Sequence, residues 1–531
     1  MQADSRKIIS ENIVADRSKL KIICVFLHRI YFGRIPYERQ YRGKKRKAMN
    51  ITELQQSYAS HPNVEGVCRL LKDNSVRHLY CGGLYASAAS LFSSVLVQRA
   101  TCPLVFILGD MEEAGYFYHD LTQILGTEQV LFFPSSFRRA IKYGQKDAAN
   151  EILRTEVLSR LQKGEEGLCV VTYPDALAEK VVSRKELGEN TLKLHAGERV
   201  DMDFVTDVLR SYGFEYVDYV YEPGQYAVRG SIIDVFSFSS EYPFRIDFFG
   251  DEVESIRTFE VETQLSKEKK ESIVIVPDLS HSLEKRESGG MVSFLDFLPS
   301  DSLLAMRDFL WLRERIQTVH DESLTLQAIA ARESEENGAI TLEGKLIDGG
   351  EFTLRALDFR RMEFGNKPTG TPDATVSFHT TVQPIFHKNF DMVAESFREY
   401  LSRHYTIYIC SDSLKQTDRI RAIFEDRGDN ISFTAVERTL HEGFADDTLR
   451  ICVFTDHQLF DRFHKYNLKS DKARSGKVAL SLKELNQFTP GDYVVHTDHG
   501  VGRFAGLVRI PNGDTTQEVM KIVYQNEDVV F

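Results

Sequence analysis

The residues whose types and spacing come closest to doing chemistry lie in the segment HLYCGGLYASAASLF, residues 78–92. An apolar strand, a pair of glycines and the start of a helix are the ingredients of a loop that cradles phosphates. In such a loop backbone N–H groups face the anion, a lysine neutralises the β/γ charges and a Ser or Thr hydroxyl holds Mg²⁺. Laid on G-x-x-G-x-G-K-[ST], this chain offers Gly83, Ala86, Ala88, Ala89 and Ser90. The lysine is missing, and each alanine adds a Cβ where close approach of an anion favours none. Farther on, Leu303–Met306 is an apolar strand of the kind that precedes a metal-binding Asp-Glu pair, but Arg307-Asp308 follows it, and a cation there would repel Mg²⁺. No intact G-x-x-x-x-G-K-[ST] and no Asp-Glu-x-His or Asp-Glu-Ala-Asp box occurs anywhere. Either the segment is an ordinary strand-turn-helix or it is the shell of a nucleotide domain whose catalysis has decayed. The second strand favours the shell, so no catalytic residue and no ATP hydrolysis are expected.

A second set of candidates lies on the alternating strand Tyr226–Phe236, which can bury Ile232, Val235 or Phe236 on one face and present Arg229 on the other. A guanidinium suits a bidentate pair with a partner's carboxylate, so Arg229 leads as a recognition residue, with Arg245 and Arg257 behind it. The plainer alternative is a solvated strand face, with Arg245 paired to Asp247 or Glu252. Metal chemistry is not expected: His496 and His499 stand alone, and the seven cysteines (Cys24, Cys68, Cys81, Cys102, Cys169, Cys410 and Cys452) show no C-x-x-C spacing. The same scatter argues against a disulfide framework and points to a reducing cytoplasm.

The elements that must position these residues follow from length and periodicity. With 531 residues, 42% hydrophobic and 27% charged, the chain can bury several cores. Residues 1–48 carry thirteen Lys/Arg against four Asp/Glu, an excess of nine positive charges, so the remainder carries −21 of the net −12. A body this acidic is a poor non-specific ligand for DNA, which favours protein partners. The basic leader, ending Lys44-Lys45-Arg46-Lys47, is expected to be a disordered extension or a misassigned start. No apolar run approaches the roughly 20 residues of a membrane-spanning helix.

From residue 49 to 180, strands at Val76–Tyr80, Leu104–Leu108, Val130–Phe133 and Leu168–Thr172 alternate with helical patterns such as Glu151–Leu161, the rhythm of a parallel α/β sheet. Residues 181–266 read as an antiparallel α+β insertion. Residues 267–380 resume the first unit, with a helix over Leu310–Ile329 and a strand-rich part near Ile340–Leu354. A small α/β unit is expected over 385–464, a basic linker over 465–484, and a compact β module from 485 to 531 that ends inside a strand-like run and is expected to be truncated.

The run EPGQYAVRGSIIDVFSFSSEYPFRIDFFGDEVESIRTFEVETQLS resembles the UvrA-binding domain shared by UvrB, the helicase subunit of nucleotide excision repair, and the bacterial transcription-repair coupling factors. The order of Gly224, Arg229-Gly230, Asp234, Phe236, Arg245, Asp247-Phe248-Phe249, Asp251-Glu252, Ser255 and Arg257 carries the likeness. It implies UvrA contacts at Arg229, Gly230, Asp234, Phe236, Arg245, Phe249, Glu252 and Arg257. The run PGDYVVHTDHGVGRFAGL resembles the CarD-like RNA polymerase interaction domain of the coupling factors. There Gly500 and Gly502 would make the turn and Tyr493, Val495, Val501 and Phe504 would fill a small CarD/Tudor-like barrel. Strand-edge pairing with the polymerase β subunit would use Val519, Met520, Lys521, Ile522, Val523 and Tyr524.

The resemblance as a whole implies a multidomain α/β chain: a degenerate P-loop, helicase-like (UvrB-like) domain carrying an α+β insertion, then a small α/β domain and a small β-barrel. By this resemblance the chain would be the N-terminal half of a coupling factor, a scaffold without a cofactor of its own. In the full-length family it is joined to an ATP- and Mg²⁺-dependent translocase on double-stranded DNA, whose motifs are found nowhere in this chain. The UvrA surface would be masked by a C-terminal domain until the motor engages. A UvrB-like ATP-dependent helicase subunit and a CarD-like transcription regulator are the alternatives.

Overall fold

The computed structural model describes residues 48–136, 148–261, 263–277, 291–333, 345–462, 466, 490–496, 500–512, 515–524 and 528–530. The folded body begins at Met49. The expected extension 1–48 and linker 465–484 lie outside the described residues except for Ala48 and Tyr466.

Seven parallel strands form the principal sheet, in the order Ala374–Ser377, His78–Gly82, Arg360–Glu363, Leu303–Met306, Leu104–Ile107, Cys169–Thr172, Val130–Phe133. Four of these strands are buried at every position, as a parallel sheet covered by helices on both faces requires. Strands from before residue 173 and after residue 302 share this sheet, with His78–Gly82 lying between Ala374–Ser377 and Arg360–Glu363, so the inserted segment loops out of one continuous sheet. The strand-rich reading of Ile340–Leu354 is corrected in its described part: Gly349–Ala356 is a helix. Asp348 accepts the Glu351 amide at 2.7 Å as N-cap, and burial of Phe352 beside exposed Leu354 follows a helical period.

The insertion is a six-stranded sheet in the order Ser266–Lys270, Glu252–Phe259, Phe244–Phe249, Ile232–Val235, Gln225–Arg229, Glu215–Tyr216, antiparallel except for the last pair. One face packs Tyr226, Ile233, Val235, Ile246 and Ile256 against Val205 and Leu209 of the helix Met202–Ser211. Residues 267–275, expected to open the next unit, pair within this one: Ser266–Lys270 edges the sheet and Ser272–Ile275 pairs with Leu192–His195.

The small α/β unit is broader than its expected bounds. Its sheet runs Met49–Asn50, Thr434–Glu437, Thr406–Ser411, Ile451–Thr455, Phe444–Asp446, Thr380–Val382, so it takes its first strand from the start of the body. Tyr58 donates to the buried Asp446 at 3.1 Å, and Val436, Leu440, Phe444 and Val453 share one apolar core with the principal sheet.

At the C-terminal end, Tyr493–His496, Gly500–Asn512, Thr515–Val523 and Val529–Val530 form an open antiparallel sheet of four strands among the described residues. Phe504 is buried as expected, but Tyr493 and Val501 are 71% and 63% exposed and do not fill a core. Val501 and Phe504 are three apart on one strand, so regular alternation sends them to opposite faces. Gly502 is needed for packing, since a Cβ there would sit 2.5 Å from the Ile522 side chain. Among the described residues six cysteines are free, no His/Cys/Asp/Glu group could hold a metal, and no helix is long and apolar enough to cross a membrane.

Candidate functional site

The second face of the inserted sheet gathers most of the expected recognition residues. Cross-strand partners share a face. Asp234 lies opposite Ala227 on one side and Arg245 on the other, Arg245 opposite Arg257, and Arg257 opposite Lys269. In the next row Ile232 faces Arg229 and Asp247, and Asp247 faces Ser255. At the tip, Phe249 pairs with Glu252 and is 79% exposed. Gly230 turns the Arg229/Ile232 hairpin with φ +62°, a conformation that favours glycine.

Asp234 organises this face. Its carboxylate is buried and accepts from Arg245 Nε at 2.7 Å, from Arg245 Nη2 at 2.9 Å, and from Arg229 Nη2. The Asp234 bonds hold the Arg245 guanidinium pKa above its ordinary value. Arg245 also donates to the Gln264 carbonyl at 3.1 Å, lies 4.5 Å over the Phe259 ring, and is only 14% exposed. The expected pairing of Arg245 with Asp247 or Glu252 is thus replaced by Asp234, and Arg257 takes Asp247 at 3.3 Å. Arg229 stays 36% exposed over the Tyr219 ring, 5.1 Å from its centroid. Two guanidiniums against one carboxylate leave a net positive, partly open surface. Phe236 is on the same face but buried against Val220, Phe238, Phe259 and Ile152, so it anchors the insertion and offers nothing to a partner. The sequence reading missed Tyr219. The run EYVDYVY at 215–221, which leaves Tyr216, Tyr219 and Tyr221 exposed, was the available signal.

The loop laid on the phosphate-binding motif is filled by the chain itself. The amides of Tyr85, Ser87, Ala88 and Ala89 donate to Thr380 Oγ1, Glu442 O, Tyr85 O and Ala86 O at 2.9, 3.3, 3.2 and 3.2 Å. A Cβ on Gly83 would lie 2.1 Å from the Phe378 carbonyl, so the glycine there serves packing against a neighbouring strand end. Ala86 keeps φ at +50°, a value that suits glycine better. Ser87 Oγ donates to Asp120 at 2.6 Å, and Ser90 is buried beside it.

A cavity of about 330 Å³ beside this helix start is lined by the carboxyl groups of Asp110, Glu112, Glu113, Asp120 and Glu442, with Arg307 the single guanidinium. Arg307 is spent on Glu113 at 2.7 Å, and Asp308 caps the following helix through the Trp311 amide at 3.0 Å. Burial pushes Asp120 up to about 7 and raises Glu442 as well. Such a lining repels polyphosphate.

Of the strand expected to offer an edge, Ile522 and Val523 already pair with Val530 and Val529, and the Tyr524 amide donates to Asp528 at 2.8 Å. The hairpin back to Val529 covers that end of the edge. Val519, Met520 and Lys521 have no strand on that side among the described residues.

Family models match the chain twice: the UvrB interaction domain over residues 192–281, and the CarD-like/TRCF RID domain over residues 488–531. The transcription-repair-coupling factor of Bacillus subtilis (strain 168) is 22% identical over 527 residues, covering 85% of this chain and 44% of that protein. That of Staphylococcus aureus (strain bovine RF122 / ET3-1) is 24% identical over 513 residues with the same coverages. Over most of its length the chain is similar to the transcription-repair-coupling factors. It spans less than half the length of these relatives. The first family match covers both the Asp234 face and the helix behind it, and the second covers the open C-terminal sheet.

Proposed function

We propose that this chain is the adaptor part, the N-terminal half, of a coupling factor: it recruits UvrA to RNA polymerase stalled at damaged DNA, in transcription-coupled nucleotide excision repair. The observation that carries the reading is the Asp234-centred arginine face, lying inside the UvrB interaction match and half open to solvent. Arg229, Phe249, Glu252 and Arg257 are the contact residues in this reading. Arg245 and Asp234 hold Arg229 in place, Gly230 shapes the turn, and Phe236 anchors the sheet. The polymerase β subunit would pair with the open stretch Val519–Lys521, with Ile522, Val523 and Tyr524 holding that strand within its own sheet.

ATP, Mg²⁺ and double-stranded DNA belong to the motor of the full-length family, and the masking of the UvrA face belongs with it. The loop at Gly83–Ser90 plays no part in hydrolysis here, because its amides already have protein acceptors and the adjoining cavity is acidic. A UvrB-like helicase subunit would need that loop open.

The test is calorimetry of UvrA against the whole chain, with ATP turnover assayed on the same sample. Binding weakened by about 2 kcal/mol in Arg229→Ala, as for a half-buried arginine hot spot, is the expected result. A folded chain that does not bind UvrA, or that turns over ATP, would sink the adaptor reading.

A further inference from the structure

The loop over residues 439–443 belongs to the small α/β unit, yet its hydrogen bonds run into the start of the Ser87–Arg99 helix. The His441 amide donates to Asp120 Oδ1 at 2.7 Å, while Ser87 Oγ donates to Asp120 Oδ2 at 2.6 Å. The Glu442 amide donates to Ser87 Oγ at 3.0 Å, and the Ser87 amide returns a bond to the Glu442 carbonyl at 3.3 Å. The His441 ring stacks on Tyr116 with centroids 3.5 Å apart and planes 12° apart. A second strut lies alongside: Thr380 Oγ1 donates to the Gly83 carbonyl at 2.7 Å and accepts the Tyr85 amide at 2.9 Å.

These bonds join segments 295 to 355 positions apart in sequence. They close on the helix end where, in a working nucleotide loop, the phosphates would sit. An anion and the Glu442 carbonyl would compete for the Ser87 amide, and the carbonyl occupies it.

We infer that the vacated phosphate position has become an internal socket, in which residues 439–443 act as a plug and Asp120 as the lock joining the small α/β unit to the principal sheet. A nucleotide in this position would tie the two units together only while bound. A plug made of the chain itself ties them permanently and independently of ATP. The inference concerns the chain alone and does not depend on UvrA binding.

Hydrogen–deuterium exchange on the whole chain tests it, with Ser87→Ala and Asp120→Ala compared with the parent. Asp120→Ala removes the acceptor of two bonds. Ser87→Ala removes one bond from each side of the socket with a residue that a helix start tolerates. The expected result is faster exchange confined to 434–446, by about tenfold in Asp120→Ala and less in Ser87→Ala, as for local opening. Strands Leu104–Ile107 and Cys169–Thr172 should keep the parent's protection. Exchange that rises equally across both sheets would reduce Asp120 to an ordinary core residue, and unchanged exchange at 439–443 in Ser87→Ala would show that the plug carries no load; either result overturns the inference.

Discussion

Two buried carboxylates, Asp234 in the insertion and Asp120 in the principal domain, are built into opposite kinds of site. Asp234 is shared by two arginines, one of which keeps a third of its surface in water, so the cluster holds more basic than acidic groups and is addressable from outside. Asp120 is shared by a hydroxyl and a backbone amide, both neutral and both from within the chain, and the result is a closed joint. Excess charge at a half-open rim suits recognition, whereas neutral donors around a buried acid suit permanent assembly.

The sharpest way to break that comparison is Asp234→Ala, which leaves Arg245 largely buried without its counter-ion. We expect a loss of about 3 kcal/mol in urea unfolding, the scale for removing one partner of a buried pair. A loss near zero would mean that the two arginines are held by the Tyr219 and Phe259 rings rather than by the acid. Next in size is Phe249→Ala. Phe249 has little packing to lose, so UvrA affinity should fall by about 1 kcal/mol with Tm unchanged; a lowered Tm would move Phe249 from the contact surface to the fold. Asp120→Asn probes the other carboxylate through the pH dependence of stability. Burial raises the Asp120 pKa to about 7 from 3.8, so the folded state holds the proton more tightly than the unfolded chain between those values. Its contribution to stability is complete below the lower value and is lost as pH rises towards the upper. The parent should therefore lose Tm relative to Asp120→Asn as pH is raised from about 4 to 8, and parallel curves would refute this.

How much of this was legible beforehand depended on whether the deciding contact was local. The strands Leu104–Ile107, Val130–Phe133 and Cys169–Thr172 announce themselves as continuous apolar runs, because a strand covered on both faces has no polar side. The gathering of Arg229, Asp234, Arg245 and Arg257 on one face follows from alternation, but the pairing does not. Arg245 has acids nearby in sequence, and only the register of Ile232–Val235 against Phe244–Phe249 sets Asp234 beside it. The absence of a lysine from the segment laid on the phosphate-binding motif is visible in the sequence, whereas the bonds that residues 439–443 make to Asp120 and Ser87 depend on contacts hundreds of positions away. The outward turn of Val501 could have been read from the parity of Val501 and Phe504.

The outer strand Ser266–Lys270 sets the direction from which a partner can come. Three of its five residues are lysines, and ammonium groups along a free edge discourage another chain from adding itself there as one more strand. A visitor repelled from that rim is steered onto the broad surface of the sheet, so recognition here is a matter of side chains meeting side chains, while the bare run of backbone at Val519–Lys521 invites the opposite mode. On the proposed reading, one chain would hold two partners at once, each by a grammar the other site does not accept.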